Sequence, residues 1–280
     1  MPDTPDTPHL AVDAPPVMFI HGLWLAASSW DPWRTRFGAA GFSTLAPTWP
    51  GEAPSITDPR DHADAQAGYG IVEGAAHVAE AIAPLGRKPI VVGHSFGGLV
   101  AQKLLAADVA AAAVAIDPAQ IQGVKVLPLA QLRSTFSVLG NPANAKRTVT
   151  LTPDAFAYSF GNAIDRSESD EIYDHWTIPS PGRPLFQAAF ANLLPGSPAH
   201  VDTTARRGPL LILGGGQDHA VPESVSRSAH HRYRKAPTDN DYIVLADRGH
   251  SLTVDHGWPD VADTVLDWLA HRGFGAPVSH

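Results

Sequence analysis

Ser95 sits in Gly93-His94-Ser95-Phe96-Gly97, a serine held between two glycines. The apolar run Ile90-Val91-Val92 before it has the composition of a buried strand, and Leu99-Val100 with Leu104-Leu105 after it has helical spacing. So tight a strand-to-helix turn needs hydrogen-sized neighbours, and its strained backbone lifts the serine hydroxyl clear of the sheet. Such a hydroxyl becomes a nucleophile for acyl transfer once a base takes its proton. The amide of Phe96, at the helix start, then points where an oxyanion would form.

A nucleophilic serine needs a base, and histidine is the side chain whose ordinary pKa suits proton transfer near neutral pH. Of fourteen histidines, His250 is the candidate because it follows the last strand-like run, Tyr242-Ile243-Val244-Leu245, after a short loop. Asp218 follows the preceding one, Leu210-Leu211-Ile212-Leu213, in the same way. If both runs are parallel strands, Ser95, Asp218 and His250 meet at one carboxyl edge of one sheet. There the aspartate would hold the imidazole tautomer and stabilise the imidazolium.

The elements that must position these residues come from periodicity. Val17-Met18-Phe19-Ile20 reads as a strand buried on both faces, followed by a helix from about Trp30 to Ala40 and a strand over Ser43–Pro47. Apolar residues at Ile71, Ala75, Val78, Ile82 and Leu85 form a helical stripe ahead of the Ile90 strand, and Ala112–Ile116 is the strand after the Ser95 helix. Pro222 suits the first turn of a helix running to about Arg234, and Pro259 starts a last helix with a Val261, Val265, Trp268, Leu269 stripe. Strands alternating with helices predict an α/β fold with a mainly parallel sheet.

The alternation stops between Ala119 and Arg207. Short apolar repeats there, Leu129-x-x-Leu132-x-x-x-Phe136 and Phe186-x-x-x-Phe190-x-x-x-Leu194, predict a helical insertion rather than a long bare loop. The expected organisation is a mobile, proline-rich arm over 1–16, a core over 17–118 and 208–273, and a cap over 119–207. The cap's aromatic residues are expected in its own core or over an apolar pocket, with Phe136, Phe160 and Trp176, and Trp24 from the core, as candidate substrate contacts.

Composition narrows the partners. A net charge of −8 disfavours nucleic acid and anionic membrane. No run of apolar residues is long enough to span a bilayer, and no basic-then-apolar leader is visible, so a soluble cytoplasmic protein without membrane insertion is expected. No cysteine means no disulfide, no thiolate nucleophile and no cysteine zinc site. No metal or cofactor is expected, the partner is a small-molecule substrate, and nothing indicates a homo-oligomer.

The order Ser95, Asp218, His250 at three strand ends resembles the α/β-hydrolase superfamily, as do Gly93-His94-Ser95-Phe96-Gly97-Gly98, Gly216-Gln217-Asp218-His219-Ala220-Val221-Pro222 and Arg248-Gly249-His250. The likeness spans Val17 to Leu269 and implies about six strands flanked by helices. It also implies that His21-Gly22-Leu23-Trp24 is an oxyanion loop, with the Leu23 amide as second donor beside that of Phe96 and His21 shaping the loop through backbone hydrogen bonds. Superfamily members that place the carboxylate one strand earlier make Asp117 the alternative acid. The N-terminal hairpin common in the superfamily is expected to be missing. Ser95 speaks against the carbon-halogen and epoxide hydrolases of this fold, which carry Asp there.

The chemistry expected is hydrolysis of a carboxylic ester or lactone of a small, largely apolar substrate through an acyl-enzyme. The same triad would also serve carbon-carbon bond hydrolysis, hydroxynitrile lysis or perhydrolysis. A pocket lysine, which lyases of this fold tend to use, would be Lys125 or Lys146. The reading from a different class is a non-catalytic small-ligand receptor on the same fold. His94 is expected to pack, Trp30 and Trp33 to pack within helices, and His230 and His231 to face water.

Overall fold

The computed structural model describes residues 14–52 and 63–275. The arm expected over 1–16 therefore lies outside the described residues up to position 13, as does the middle of the loop after Thr48. Six strands form one sheet in the order β2-β1-β3-β4-β7-β8, every neighbouring pair parallel. They are β1 (Val17–Ile20), β2 (Thr44–Leu45), β3 (Ile90–His94), β4 (Ala112–Ile116), β7 (Leu210–Gly215) and β8 (Asn240–Leu245). Among the described residues no strand precedes β1.

Successive side chains of a strand alternate faces, and here both faces are apolar because both are covered. Met18, Ile20, Val91, Ala113 and Ile212 pack under α2 (Ile71–Ile82) and α3 (Phe96–Ala106). Val17, Phe19, Val92, Val114 and Leu211 pack under α1 (Asp31–Ala39) and α9 (Trp258–His271). Trp30 stacks on Phe19 and Trp33 lies edge-on to both, filling the second layer. Each fully buried aliphatic side chain contributes about 1.5–3 kcal/mol, so the sheet is the rigid part of the molecule.

Register lines up the carboxyl ends. Ile20 lies opposite Gly93, His94 opposite Ile116, Ile116 opposite Leu213 and Gly215 opposite Leu245. The loops beginning at His21, Ser95, Asp117, Gly216 and Ala246 therefore open along one edge. Some boundaries differ from expectation. The second strand is only Thr44–Leu45, before Pro47, which has no amide to continue a ladder. Pro222 caps α8 (Glu223–Arg232) from outside instead of opening its first turn.

Between β4 and β7 lie four helices, α4 (Leu129–Leu139), α5 (Pro153–Ser159), α6 (Arg166–Trp176) and α7 (Arg183–Ala189). A two-strand antiparallel ribbon, β5 (Thr148–Val149) with β6 (Ser180–Pro181), joins them. Prolines that looked irregular in the sequence start helices: Pro153 follows the Thr152 cap, and Pro184 sits in the first turn of α7. The apolar repeat of α4 corrects the sequence expectation. Leu129 and Phe136 face solvent, 83% and 72% exposed, whereas Leu132, 42% exposed, also lines the cavity over Ser95. The inward stripe of α4 is instead Gln131 and Val138, both buried, with the half-buried Ser134 and Thr135 between them at helical spacing.

Candidate active site

Ser95 ends β3 and precedes α3 with φ 56° and ψ −119°, a conformation that side-chain-bearing residues rarely adopt. The flanking glycines make it possible. A Cβ on Gly97 would collide with the Ile20 carbonyl, and one on Gly93 with the Gly97 carbonyl. Gly22 touches the nucleophile turn as well, since a Cβ there would come within 2.7 Å of Ser95 Cβ. Three hydrogen-only positions thus bring the β1 loop, Ser95 and the α3 N-terminus together.

Phe96 follows Ser95 and Leu23 follows Gly22, which touches the Ser95 turn; neither amide has a hydrogen-bond partner among the described residues. Phe96 is the first residue of α3, where helical amides are free and the helix dipole favours negative charge. The two N–H groups expected to face an oxyanion are available for it.

His250 is 1% exposed and its Nδ1 lies 2.6 Å from Asp218 Oδ2. An ionised carboxylate only accepts, so Nδ1 carries the shared proton and Nε2 is left free to take another. The other Asp218 oxygen accepts the Ala220 and Val221 amides at 2.6 and 2.8 Å, which fixes the carboxylate in one orientation. The loop beyond β8 is tied to the segment after α5: Ser251 N donates to the Phe160 carbonyl at 3.1 Å, and the Phe160 ring meets His250 edge-on at 4.7 Å. His94 packs its ring 4.5 Å from that of His250, and burial, reinforced by the charges of His250 and His21, holds it well below the ordinary histidine range.

Asp117, the alternative acid, adjoins this pair. It is fully buried with φ 39°, and its Oδ1 accepts the Gly215 amide at 2.6 Å. Burial, then the charge of Asp218, pushes its carboxyl well above the usual range, which favours its neutral form. Asp117, Asp218 and His250 each offer an atom within 4.8 Å of the others, the spacing of a cation cage. His250 and Asp218 already hydrogen-bond one another across that space.

Behind the β1 loop lies a group the sequence reading did not single out. Glu52 is paired with His21 at 2.9 Å, the two side chains 2% and 3% exposed. Its oxygens also accept the Ala27 and Trp49 amides at 3.1 and 2.9 Å. Burial opposes both charges. The mutual attraction and hydrogen bonds outweigh it, raising His21 above and lowering Glu52 below their ordinary values. His21 Nδ1 also contacts the Gly22 carbonyl at 2.8 Å, so the backbone hydrogen bond expected of it is accompanied by an ion pair.

Ser95 and His250 open into one cavity of about 260 Å³. Trp24, Phe96, Phe160, Leu151, Leu185 and Val221 supply apolar wall, and Gln120, Gln131 and Ser134 supply polar groups. Two sequence candidates lie elsewhere. Phe136 points to solvent on the outer face of α4, and Trp176 lines an acidic surface groove beside Glu168, Glu171 and Asp174. Trp24 does more than line the wall. Its amide donates to Ser180 Oγ at 2.6 Å, its indole N–H to the Val149 carbonyl at 3.0 Å, and its carbonyl accepts the Ile178 amide at 3.1 Å. It staples the β5/β6 ribbon to the loop after β1. No sequence signal marked Glu52 or Ser180, because each matters only through a partner far along the chain.

Among the described residues no helix is long and apolar enough to cross a membrane. Comparison with known proteins gives a match of residues 17–264 to the sequence model of the alpha/beta hydrolase family. No curated protein sequence matches the chain. Similar solved structures include the Paleococcus ferrophilus monoacylglycerol lipase, at 19% identity and TM-score 0.66, covering 92% of this chain and 96% of that one. A methylesterase from Arabidopsis is similar at 17% identity and TM-score 0.63, covering 92% and 99%. A thermophilic esterase from Thermogutta terrifontis is similar at 18% identity and TM-score 0.62, covering 92% and 90%. At these identities the likeness is one of fold.

Proposed function

The chain belongs to the alpha/beta hydrolase family, and from that premise we propose that it is a serine hydrolase cleaving carboxylic esters or lactones of small, largely apolar substrates. The observation that carries this reading is a strained serine sharing one cavity with a histidine whose Nδ1 is held by a buried aspartate. Ser95 Oγ attacks the substrate carbonyl while His250 Nε2 takes its proton, and Asp218 stabilises the imidazolium. The developing oxyanion meets the amides of Leu23 and Phe96, each worth about 3 kcal/mol in the transition state. The imidazolium then protonates the leaving alkoxide, an ester forms on Ser95, and a water deprotonated by His250 releases the acid.

The segment 119–207 acts in this reading as the cap that shapes the cavity over a core formed by 17–118 and 208–273. Among the described residues no aspartate, glutamate, lysine or arginine lines the cavity, which suits a neutral substrate. Titration with a fluorophosphonate, read by intact mass and peptide mapping, tests the proposal beside a p-nitrophenyl ester series. One adduct on Ser95 with ester turnover is the expected outcome. Folded protein that takes no adduct and turns over no ester sinks the reading.

A further inference from the structure

The inner face of α4 carries polar groups where a helix normally buries apolar ones. Gln131 is 8% exposed and lines the cavity, yet its Oε1 is buried with no partner among the described residues. Gln120 lines the same cavity. Its Nε2 donates to the Ala188 carbonyl at 3.1 Å, which orients the amide and leaves Oε1 as an acceptor, also buried without a partner. The remaining polar groups of this wall are occupied: the Ser134 hydroxyl donates to Ser159 at 2.8 Å, and the Thr135 hydroxyl to the Gln131 carbonyl at 2.8 Å.

Buried acceptors left without a donor are unfavourable, and a ligand that brings a donor into the cavity relieves them. A fully alkyl ligand would fill the space and leave both buried amide oxygens still without a donor, whereas a ligand that supplies one gains that hydrogen bond over its alkyl analogue. We propose that the cavity is built for a neutral ester or lactone whose enclosed part carries a hydroxyl group, received by the side-chain amides of Gln131 and Gln120. This rests on the hydrolase reading and names the substrate class for the same site.

The test compares isosteric pairs differing only in hydroxyl against methyl. On the acyl side these are 4-nitrophenyl esters of (4-hydroxyphenyl)acetic and (4-methylphenyl)acetic acid. On the alcohol side they are the acetates of 2-(4-hydroxyphenyl)ethanol and 2-(4-methylphenyl)ethanol. In at least one pair the hydroxylated ester is expected to have a kcat/KM about tenfold higher or more. That ratio is expected to fall below about twofold in Gln131→Leu, and to fall in Gln120→Leu if the first variant fails to fold. Equal turnover or a methyl preference in both pairs overturns the proposal, as does a ratio unchanged in the folded variants. Fluorophosphonate labelling of Ser95 separates the two claims. Labelled, active enzyme without hydroxyl preference defeats this inference alone, whereas unlabelled enzyme inactive on all four esters defeats the hydrolase reading and this inference with it.

Discussion

Two walls close the cavity, and they are built in opposite senses. On the sheet-edge wall the acid–base pair is fixed, His250 holding Asp218 and Asp218 accepting two amides besides, although Asp117 Oδ2 and the His94 ring nitrogens beside it are buried without a partner among the described residues. On the α4 wall Gln131, together with Gln120 from the loop after β4, lines the cavity with its acceptor left open, and Leu129 and Phe136 turn out to water. The first wall is fastened to a sheet buried on both faces, the second to short helices and a two-residue ribbon. Chemistry requires fixed geometry, whereas selection among substrates requires groups that only a ligand completes.

If the sheet-edge wall carries the chemistry, its residues should dominate any mutational ranking. Ser95→Ala is expected to lower kcat by up to about a millionfold while circular dichroism stays unchanged; retained turnover would break the comparison outright. Asp218→Asn should cost roughly ten-thousandfold in kcat by leaving His250 in the wrong tautomer. Asp117→Asn should cost less than about tenfold, because burial and Asp218 already favour the neutral form of the native carboxyl. The reverse ranking in steady-state assays would move the acid to the earlier strand.

The same pair predicts a pH signature. The Asp117 carboxyl is raised in the folded state, so the folded chain keeps a proton that the unfolded chain releases near its ordinary value of 3.8. The stability this gives is present below that value and is lost as pH rises toward the raised one. Asp117→Asn removes the loss, so melting temperatures measured from pH 4 to 8 should fall less steeply for the variant than for the parent.

Behind the oxyanion loop, Glu52→Gln should destabilise the fold by about 3–5 kcal/mol in urea unfolding at pH 6, since it strands a buried histidinium. Glu52 is lowered, so its contribution fades as pH falls through its folded value. His21 is raised, so its share fades as pH rises above 6.5 and through its folded value. A variant as stable as the parent at pH 6 would show that the loop needs no charged support.

The smallest effects sharpen the contrast across α4. Val138→Ala, on the buried stripe, should cost about 2 kcal/mol in urea unfolding, and Phe136→Ser, on the outer face, less than about 0.5 kcal/mol. Similar losses from both would mean that the outer face is covered in solution.

The contrast between the walls also explains what was legible in the sequence. Strand runs such as Val17–Ile20 and Ile90–Val92 read correctly because each residue of a doubly covered strand is buried, whichever face it takes. The Ser95 turn read correctly because its requirement for glycine is local. The α4 stripe misled because periodicity reports that one face is apolar, and the inference that this face meets a core fails when the helix borders a cavity. Phe136 misled for the same reason; of the other aromatic candidates, Trp176 lines a surface groove, whereas Phe160 and Trp24 do line the cavity.

By itself, the sequence determined the alternation of strands and helices, the strained serine and the strand ends from which Asp218 and His250 come. These follow from side-chain period and backbone sterics, which act over a few residues. Only the tertiary structure decided that Asp218 accepts from His250 while the Asp117 carboxyl is pushed up, that Glu52 backs His21, and that Gln131 and Gln120 line the cavity. Each of those depends on desolvation and on partners distant along the chain, quantities that exist only once the walls have closed.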